Sequence, residues 1–465
     1  MAQNNAIYVE HSKKNMASYG FAKALSQFIG LAFTAFGFYY YESEIGLNVL
    51  LVGLGYILYA IYNAINDPLV GYLSDRPFRF TRRWGRRFPW IMIGGAGWII
   101  SYVLIFTPPN VDPNTGAWIL LVWLVFASCL FDTFGSLFFV NFNSLFPDKF
   151  RTIEERRTAN AIATPIGLVG TALAVTLPPY FITFGDLRSY IIQAGIVFIL
   201  GFIILVCSIP GCREDQETID RYLTTHNGKI ERESFFRSMK IALKQKSFVA
   251  FIITYVLYQS FVDCVQVSVP YVVRFILKMP ASAIILVSIG FLLGSVLSIP
   301  FWIKIANKTN DNRKTILIAF IFLALSAAPL IFIKSYLGII IGMTIMGIGI
   351  GGTWVMLAIV LGDVIDESIV RTGKREEGIY SGFQQFFGRL AILIQAITFV
   401  VVHTLTGFEE GASTQTPEAI FGIHIHFALM PMIFMFIGCI IFWKWYDLTP
   451  DKIKINQDKV KELGL

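Results

Sequence analysis

The stretch Leu47–Ser74 reads LNVLLVGLGYILYAIYNAINDPLVGYLS, and Asn63, Asn66 and Asp67 break an otherwise apolar run within it. A run of this length and hydropathy crosses a bilayer as a helix. A carboxylate inside such a helix costs at least about 2.5 kcal/mol unless something compensates it. The three polar residues are spaced i, i+3, i+4, so a helix projects them from one face. Hard oxygen donors on one face of a membrane helix are the chemistry of a small-cation or proton site. Asp67 is the group expected to hold Na+ or H+.

The composition around this stretch agrees with a lipid solvent. The chain has 465 residues, 55% of them hydrophobic and 15% charged, and a mean hydropathy of +0.62. A water-soluble protein of this size has no interior large enough for so much apolar surface. Membrane-length apolar stretches lie near 17–41, 47–74, 89–107, 117–146, 158–183, 189–210, 247–273, 281–306, 315–333, 336–362, 378–404 and 419–446. The apolar/polar alternation of a membrane barrel is absent. The expected fold class is an all-α polytopic membrane protein with twelve transmembrane helices.

Basic residues set its orientation. With both termini cytoplasmic, the inner side collects Lys13, Lys14, six arginines from Arg76 to Arg87, Lys149, Arg151, Arg156, Arg157, the Lys/Arg-rich 213–246 segment, and the basic residues near 304–314 and 371–375. The outer loops keep only Arg188, Arg274, Lys278 and Lys334. This asymmetry accounts for the net charge of +7 and leaves no reason to invoke nucleic acid. The expected location is a multi-pass position in the plasma membrane, as a monomer in the lipid bilayer. Five cysteines, none in a C-x-x-C arrangement with histidines, argue against a metal centre or a disulfide framework. The polar segment before the first span carries no small-residue cleavage site, so that span reads as a retained helix. No cofactor is expected beyond the coupling ion.

The one long polar interruption, 211–246, divides the spans six and six. The expected domains are a six-helix bundle over 1–210, a cytoplasmic linker over 211–246, a second six-helix bundle over 247–446 and a cytoplasmic tail over 447–465. Two such halves around a pathway are the architecture of many secondary transporters. Acid–base pairs recur at matching inner corners of the halves. Asp75, Arg76, Arg86 and Arg87 in the first, against Asp363, Asp366 and Arg375 in the second, are the expected cytoplasmic gate.

Several segments carry a family resemblance. Gly71-x-x-x-Asp75-Arg76 with Gly85-Arg86-Arg87 looks like the loop signature of the major facilitator superfamily. Ser18-Tyr19-Gly20-Phe21, Tyr39-Tyr40-Tyr41, Asn63 to Gly71, and Asp363-Val-Ile-Asp366-Glu367 with Thr372 to Gly382 resemble the melibiose permease-like glycoside–pentoside–hexuronide:cation symporters. In the fourth span, Leu130-Phe131-Asp132-Thr133, Phe139 to Leu145 and Glu155-Arg156-Arg157-Thr158-Ala159 resemble the sodium-dependent lysophospholipid symporter branch. The resemblance implies a cation site at Asn63, Asn66, Asp67 and Ser136, with one of the family's two carboxylates replaced by Asn63. On the substrate side the family's sugar-gripping acids correspond to Gln27 and Phe139 and its fifth-span arginine to Thr164. Trp354 and Arg389 match the family's tryptophan and eleventh-span lysine.

Other candidates come from the residues themselves. Asp132 and Asp263 lie mid-span, where a carboxylate is a functional hypothesis by default. Asp132, Ser136, Phe139 and Asn143 share a helix face, which places Asp132 beside the cation site and Asn143 on the substrate side. Ser381, Gln385 and Arg389 form a stripe on the eleventh span, with Arg389 about 16 Å from Gly378 along a helix. Arg389 either pairs with a membrane acid or receives an anionic substrate group. The run Gly347-x-Gly-x-Gly351-Gly352 before Trp354 reads as close helix packing, with Trp354 a platform for a ring, a wall for an acyl chain, or packing. Lys23 is expected to snorkel to the inner interface. His403, His424 and His426 are expected at a hydrated outer interface.

The resulting reading is a cation-coupled symporter, with Na+ or H+ as the ion and a sugar or glycoside-like solute as the substrate. The alternative substrate is a lysophospholipid or another amphipathic anion. A membrane prenyltransferase would need further acids on the Asn63–Asp67 stripe, whose i+8 position is Gly71, and Asp363 and Asp366 are expected at a helix end. An enzyme is therefore not expected.

Overall fold

A computed structural model of the chain describes residues 11–74, 78–225, 235–374 and 377–462. Asp75, Arg76 and Arg375 of the expected gate lie outside the described residues. Among the described residues the structure is helical, without strands. Among the described residues, twelve helices are long and apolar enough to cross a membrane. In chain order they are α1 (Lys13–Glu44), α2 (Val49–Ser74), α3 (Phe88–Ile105), α4 (Ala117–Lys149), α5 (Ile153–Phe181) and α6 (Leu187–Cys212). They continue with α7 (Lys246–Ile276), α8 (Ala283–Thr309), α9 (Asn312–Ile331), α10 (Tyr336–Thr372), α11 (Glu377–Thr406) and α12 (Pro417–Trp445).

The helices begin where short polar side chains satisfy the first free N–H groups. Ser12 Oγ accepts from Asn15 N, Thr152 from Glu155 N, Asp311 from Lys314 N and Thr416 from Ala419 N. α10 runs to Thr372 and stops at Gly373, whose φ of +66° suits the left-handed cap. Asp363 and Asp366 are therefore helix-interior residues, not residues of a helix end. The eleventh span is also not continuous. It breaks at Arg389, between segments Glu377–Gly388 and Leu390–Thr406.

The chain forms two compact units, Met1–Glu231 and Arg232–Leu465, each holding six of the spans. The first helix of each unit ends in the same device, a π turn. In α1 it covers Tyr40–Glu44, with Ile45 N donating to Tyr40 O and Leu47 N to Tyr41 O. In α7 it covers Val272–Ile276, with Leu277 N donating to Val272 O and Met279 N to Val273 O. The two units thus repeat one another down to the register of a turn.

Within each unit the second and fourth helices pack together, and the two seams differ. At the α8–α10 seam a Cβ on Gly294 would strike the Thr344 carbonyl, one on Gly347 the Phe291 carbonyl, and one on Gly351 the Ser295 carbonyl. Glycine alone permits that approach. Trp302 Nε1 donates to Ile348 O at 2.8 Å across it. The glycine run before Trp354 is thus accounted for by helix packing. The α2–α4 seam carries polar groups.

Candidate functional site

The polar face of α2 meets α4 through two cross-helix hydrogen bonds. Asn66 Nδ2 donates to Asp132 Oδ2 at 3.0 Å, and Ser136 Oγ donates to Asp67 Oδ1. Asn66, Asp132 and Ser136 are buried and Asp67 is half-buried. Asp132 and Ser136 stand one helical turn apart on α4 and meet two neighbouring residues of α2, Asn66 and Asp67. The structure therefore joins four of the five expected cation-site residues across one seam, with Asn66 as the link to Asp132, and Asn63 stands one turn before Asp67 on the same helix. Tyr62 and Thr133 extend it with a hydroxyl–hydroxyl contact of 2.7 Å.

Asn63 tests whether this cluster suits a cation. Its side chain is fully buried, and neither Oδ1 nor Nδ2 has a hydrogen-bonding partner among the described residues. Leaving a buried amide unsatisfied costs about 1–3 kcal/mol. Two carboxylates, a hydroxyl and an amide oxygen are the hard donors that alkali and alkaline-earth cations take. A proton needs one carboxylate oxygen and gives the Asn63 oxygen nothing. The donor set fits a cation such as Na+.

In the second unit Asp263 on α7 interacts electrostatically with Arg389 at the break in α11. Tyr255 interacts with both, and Gly388 leaves room for its ring, since a Cβ there would lie 3.0 Å from Tyr255 Cε1. Tyr258 interacts with Trp354, which is exposed. The structure thus groups Asp263, Arg389 and Trp354 around two tyrosines that the sequence reading missed. Their spacing relative to Asp263, i−8 and i−5 on one helix, was the available signal. Gln385 stands exposed one turn before Arg389. In the first unit Gln27 is half-buried on α1 and Asn143 exposed on α4. Neither joins the cation cluster.

Lys23 Nζ donates to Thr164 Oγ1 on α5 at 3.0 Å. One expectation needs correction. The three histidines are buried, not at a hydrated interface. His426 Nδ1 meets Ser268 Oγ at 2.6 Å, its ring lies 4.9 Å from that of His403 and 4.2 Å from that of Phe399, and His424 Nδ1 meets Leu330 O at 3.1 Å. A π turn at Ile425–Leu429 carries His426, and hydropathy reading does not detect such a turn.

At the basic end of the first unit, Arg86 pairs with Asp148 at 2.9 Å, and Arg87 Nη1 donates to Asn141 Oδ1 at 3.2 Å. The backbone N–H groups of Arg87 and Phe88 donate to Glu214 Oε2 at 2.7 and 3.1 Å. Burial pushes the Glu214 carboxyl up, and these N–H bonds pull against it. Lys149, buried, donates to the carbonyls of Gly211 and Arg213 at 2.6 and 3.0 Å, closing the end of α6. His11 sits between Glu155 at 2.8 Å and Asp215 at 3.4 Å. Burial opposes ionisation of Asp215, yet the neighbouring His11 ring and hydrogen bonding from Thr218 hold it well below the usual carboxylate range. In the second unit Asp363 accepts from Asn312 Nδ2 at 2.8 Å. Asp148 and Glu214, partners of expected gate arginines, stand far from them in sequence and gave no local signal.

Comparison with known proteins follows this geometry. The profile of the family described as MFS/sugar transport protein matches residues 18–450. The sodium-dependent lysophosphatidylcholine symporter 1 of Gallus gallus is 22% identical over 451 residues, covering 86% of this chain and 80% of that protein. The inner membrane symporter YicJ of Escherichia coli K12 is 22% identical over 464 residues, covering 97% and 95%. Among solved structures, a D-xylose-proton symporter superposes with a TM-score of 0.61 at 15% identity, covering 94% of this chain and 96% of that one. A POT family transporter in complex with 5-aminolevulinic acid gives 0.63 at 12% identity, covering 92% and 96%. These structures share the fold of the major facilitator transporters.

Proposed function

Since the chain belongs to the MFS/sugar transport protein family, it is an integral multi-pass transporter and not an enzyme, and we propose that it works as a cation-coupled symporter with Na+ held at the α2–α4 seam. One observation carries this reading: the bonds from Ser136 to Asp67 and from Asn66 to Asp132 bring two carboxylates to one helix seam, on the helix whose buried Asn63 amide, one turn before Asp67, has no partner among the described residues. Asp132 supplies the second carboxylate from α4, where the family resemblance has it on α2. Asp67 and Asp132 would lend the negative charge, Ser136 and Asn63 neutral oxygens, and Asn66 fixes Asp132 by hydrogen bonding.

Coupling follows from electrostatics. Two negative carboxylates on one helix seam repel one another, and a bound cation offsets that repulsion. A conformation that binds the ion well thereby favours the substrate bound in it, and the substrate favours the ion by the same factor. Alternating access, with the basic ends of both units on the cytoplasmic side of the plasma membrane, completes the cycle. Arg86, Arg87, Asp363 and Asp366 are the gate candidates among the described residues.

For the substrate we propose a glycoside-like solute, in keeping with the family's description as sugar transport proteins. A lysophospholipid is the second reading. It is favoured by the lysophosphatidylcholine symporters among the relatives and by Gln27 and Phe139 standing where the sugar symporters carry acids. Counterflow of labelled glycosides against labelled lysolipids in liposomes separates the two. Asp67→Asn abolishes accumulation driven by a Na+ gradient; intact accumulation in that variant would refute the ion site.

A further inference from the structure

Lys23 stands about three turns along α1 from Lys13, within the apolar stretch that begins near residue 17. Its environment holds the charge in place without neutralising it. The aliphatic stem lies over Gly167 of α5, where a Cβ would come within 3.1 Å of Lys23 Cγ and 3.2 Å of Cδ. The Thr164 hydroxyl gives its proton to Asn160 Oδ1 at 3.2 Å and offers a lone pair to Lys23 Nζ at 3.0 Å. A hydroxyl has one proton and two lone pairs, so this chain aims the ammonium and leaves its charge whole.

No carboxylate lies within ion-pair distance of Lys23 among the described residues. Arg389, the basic residue in the broken α11, differs in facing Asp263. Lys23 keeps ammonium protons for an outside acceptor, and Gln27 stands one turn further along the same face of α1. A half-buried ammonium that is aimed by neutral groups and lacks a counter-ion is a receptor for an anion.

We propose that Lys23, positioned by Thr164 and Asn160 and flanked by Gln27, receives an anionic group of the transported substrate. The group is a carboxylate or a phosphate, as on a uronide or a lysophospholipid. The inference rests on the symport reading and narrows its substrate class.

The test uses the full chain in liposomes with an imposed Na+ gradient and two matched pairs of probes. One pair is methyl β-glucuronide against methyl β-glucoside, and the other is lysophosphatidate against monoacylglycerol. The wild type prefers the charged member of at least one pair by about tenfold or more, and the pair that responds identifies the carboxylate or phosphate source. Lys23→Met brings that ratio to within about threefold, Lys23→Arg keeps most of it, and Thr164→Val gives an intermediate value. A Na+-dependent rise in melting temperature shows that each variant is folded. Equal handling of charged and neutral probes by the wild type, no response to either anionic probe, or a preference that survives Lys23→Met overturns the inference. Loss of the Na+-dependent rise in the wild type would instead count against the ion site.

Discussion

The α2–α4 seam of the first unit and the α8–α10 seam of the second stand at matching places in a repeated pattern and are built from opposite materials. Counting equally from the two π turns, Asn63 and Asn66 correspond to Ser295 and Ser298. The serines bond to backbone, Ser295 Oγ to Phe291 O at 2.8 Å and Ser298 Oγ to Ser295 O at 3.0 Å, and glycines bring α8 and α10 into backbone contact. The first unit puts amides at those two positions and adds Asp67, Asp132 and Ser136. A closed seam needs small residues that satisfy themselves; an ion site needs polar groups whose partner comes from outside. The repeat has kept the helix pairing and divided the tasks, packing in one unit and charge in the other.

The largest way to break this contrast is Asp67→Asn. Na+-driven uptake in liposomes is expected to fall at least about tenfold, while downhill exchange persists. Asp132→Asn comes next, with Na+ affinity lowered about tenfold, equivalent to about 1.4 kcal/mol, read from melting temperature against Na+ concentration. In the other seam, Gly347→Val drives a side chain into the Phe291 carbonyl and costs about 1–3 kcal/mol of stability. It lowers the melting temperature and leaves the Na+ midpoint where it was.

Asn63→Ser makes the first seam more like the second. Sodium affinity falls about threefold, while the sodium-free protein gains up to about 1 kcal/mol because an unsatisfied amide is gone. Both are read from the same titration. The smallest effect concerns Asp215. Its carboxyl is held below the usual range, so the stability it contributes is present above the unfolded carboxylate value and is lost as pH falls toward the folded one. Asp215→Asn flattens that acid limb of a melting-temperature profile.

Much of this was legible in the chain. Hydropathy located the twelve spans, and the i, i+3, i+4 spacing placed Asn63, Asn66 and Asp67 on one face before any partner was known. The face of α4 bearing Asp132 and Ser136 was readable in the same way. The link between the faces was not, because Asn66 and Asp132 are brought together by helix pairing and no local pattern encodes that. The contacts of the Lys23 side chain come from a glycine and a threonine more than a hundred residues away. The histidines were misplaced because hydropathy reports how far along a span a residue lies but not which way it faces, and a π turn changes the facing. The break at Arg389 follows no proline, and packing of Tyr255 over Gly388 accompanies it.

The central claim is that the α2–α4 seam holds the coupling ion. Its most direct test is Na+ titration of the melting temperature of the purified protein, with choline as the ionic-strength control, for the wild type, Asp67→Asn and Asp132→Asn. The account predicts a saturable Na+-specific rise in the wild type that is absent in Asp67→Asn and shifted about tenfold to higher Na+ in Asp132→Asn. A rise of unchanged size and midpoint in both variants would contradict it.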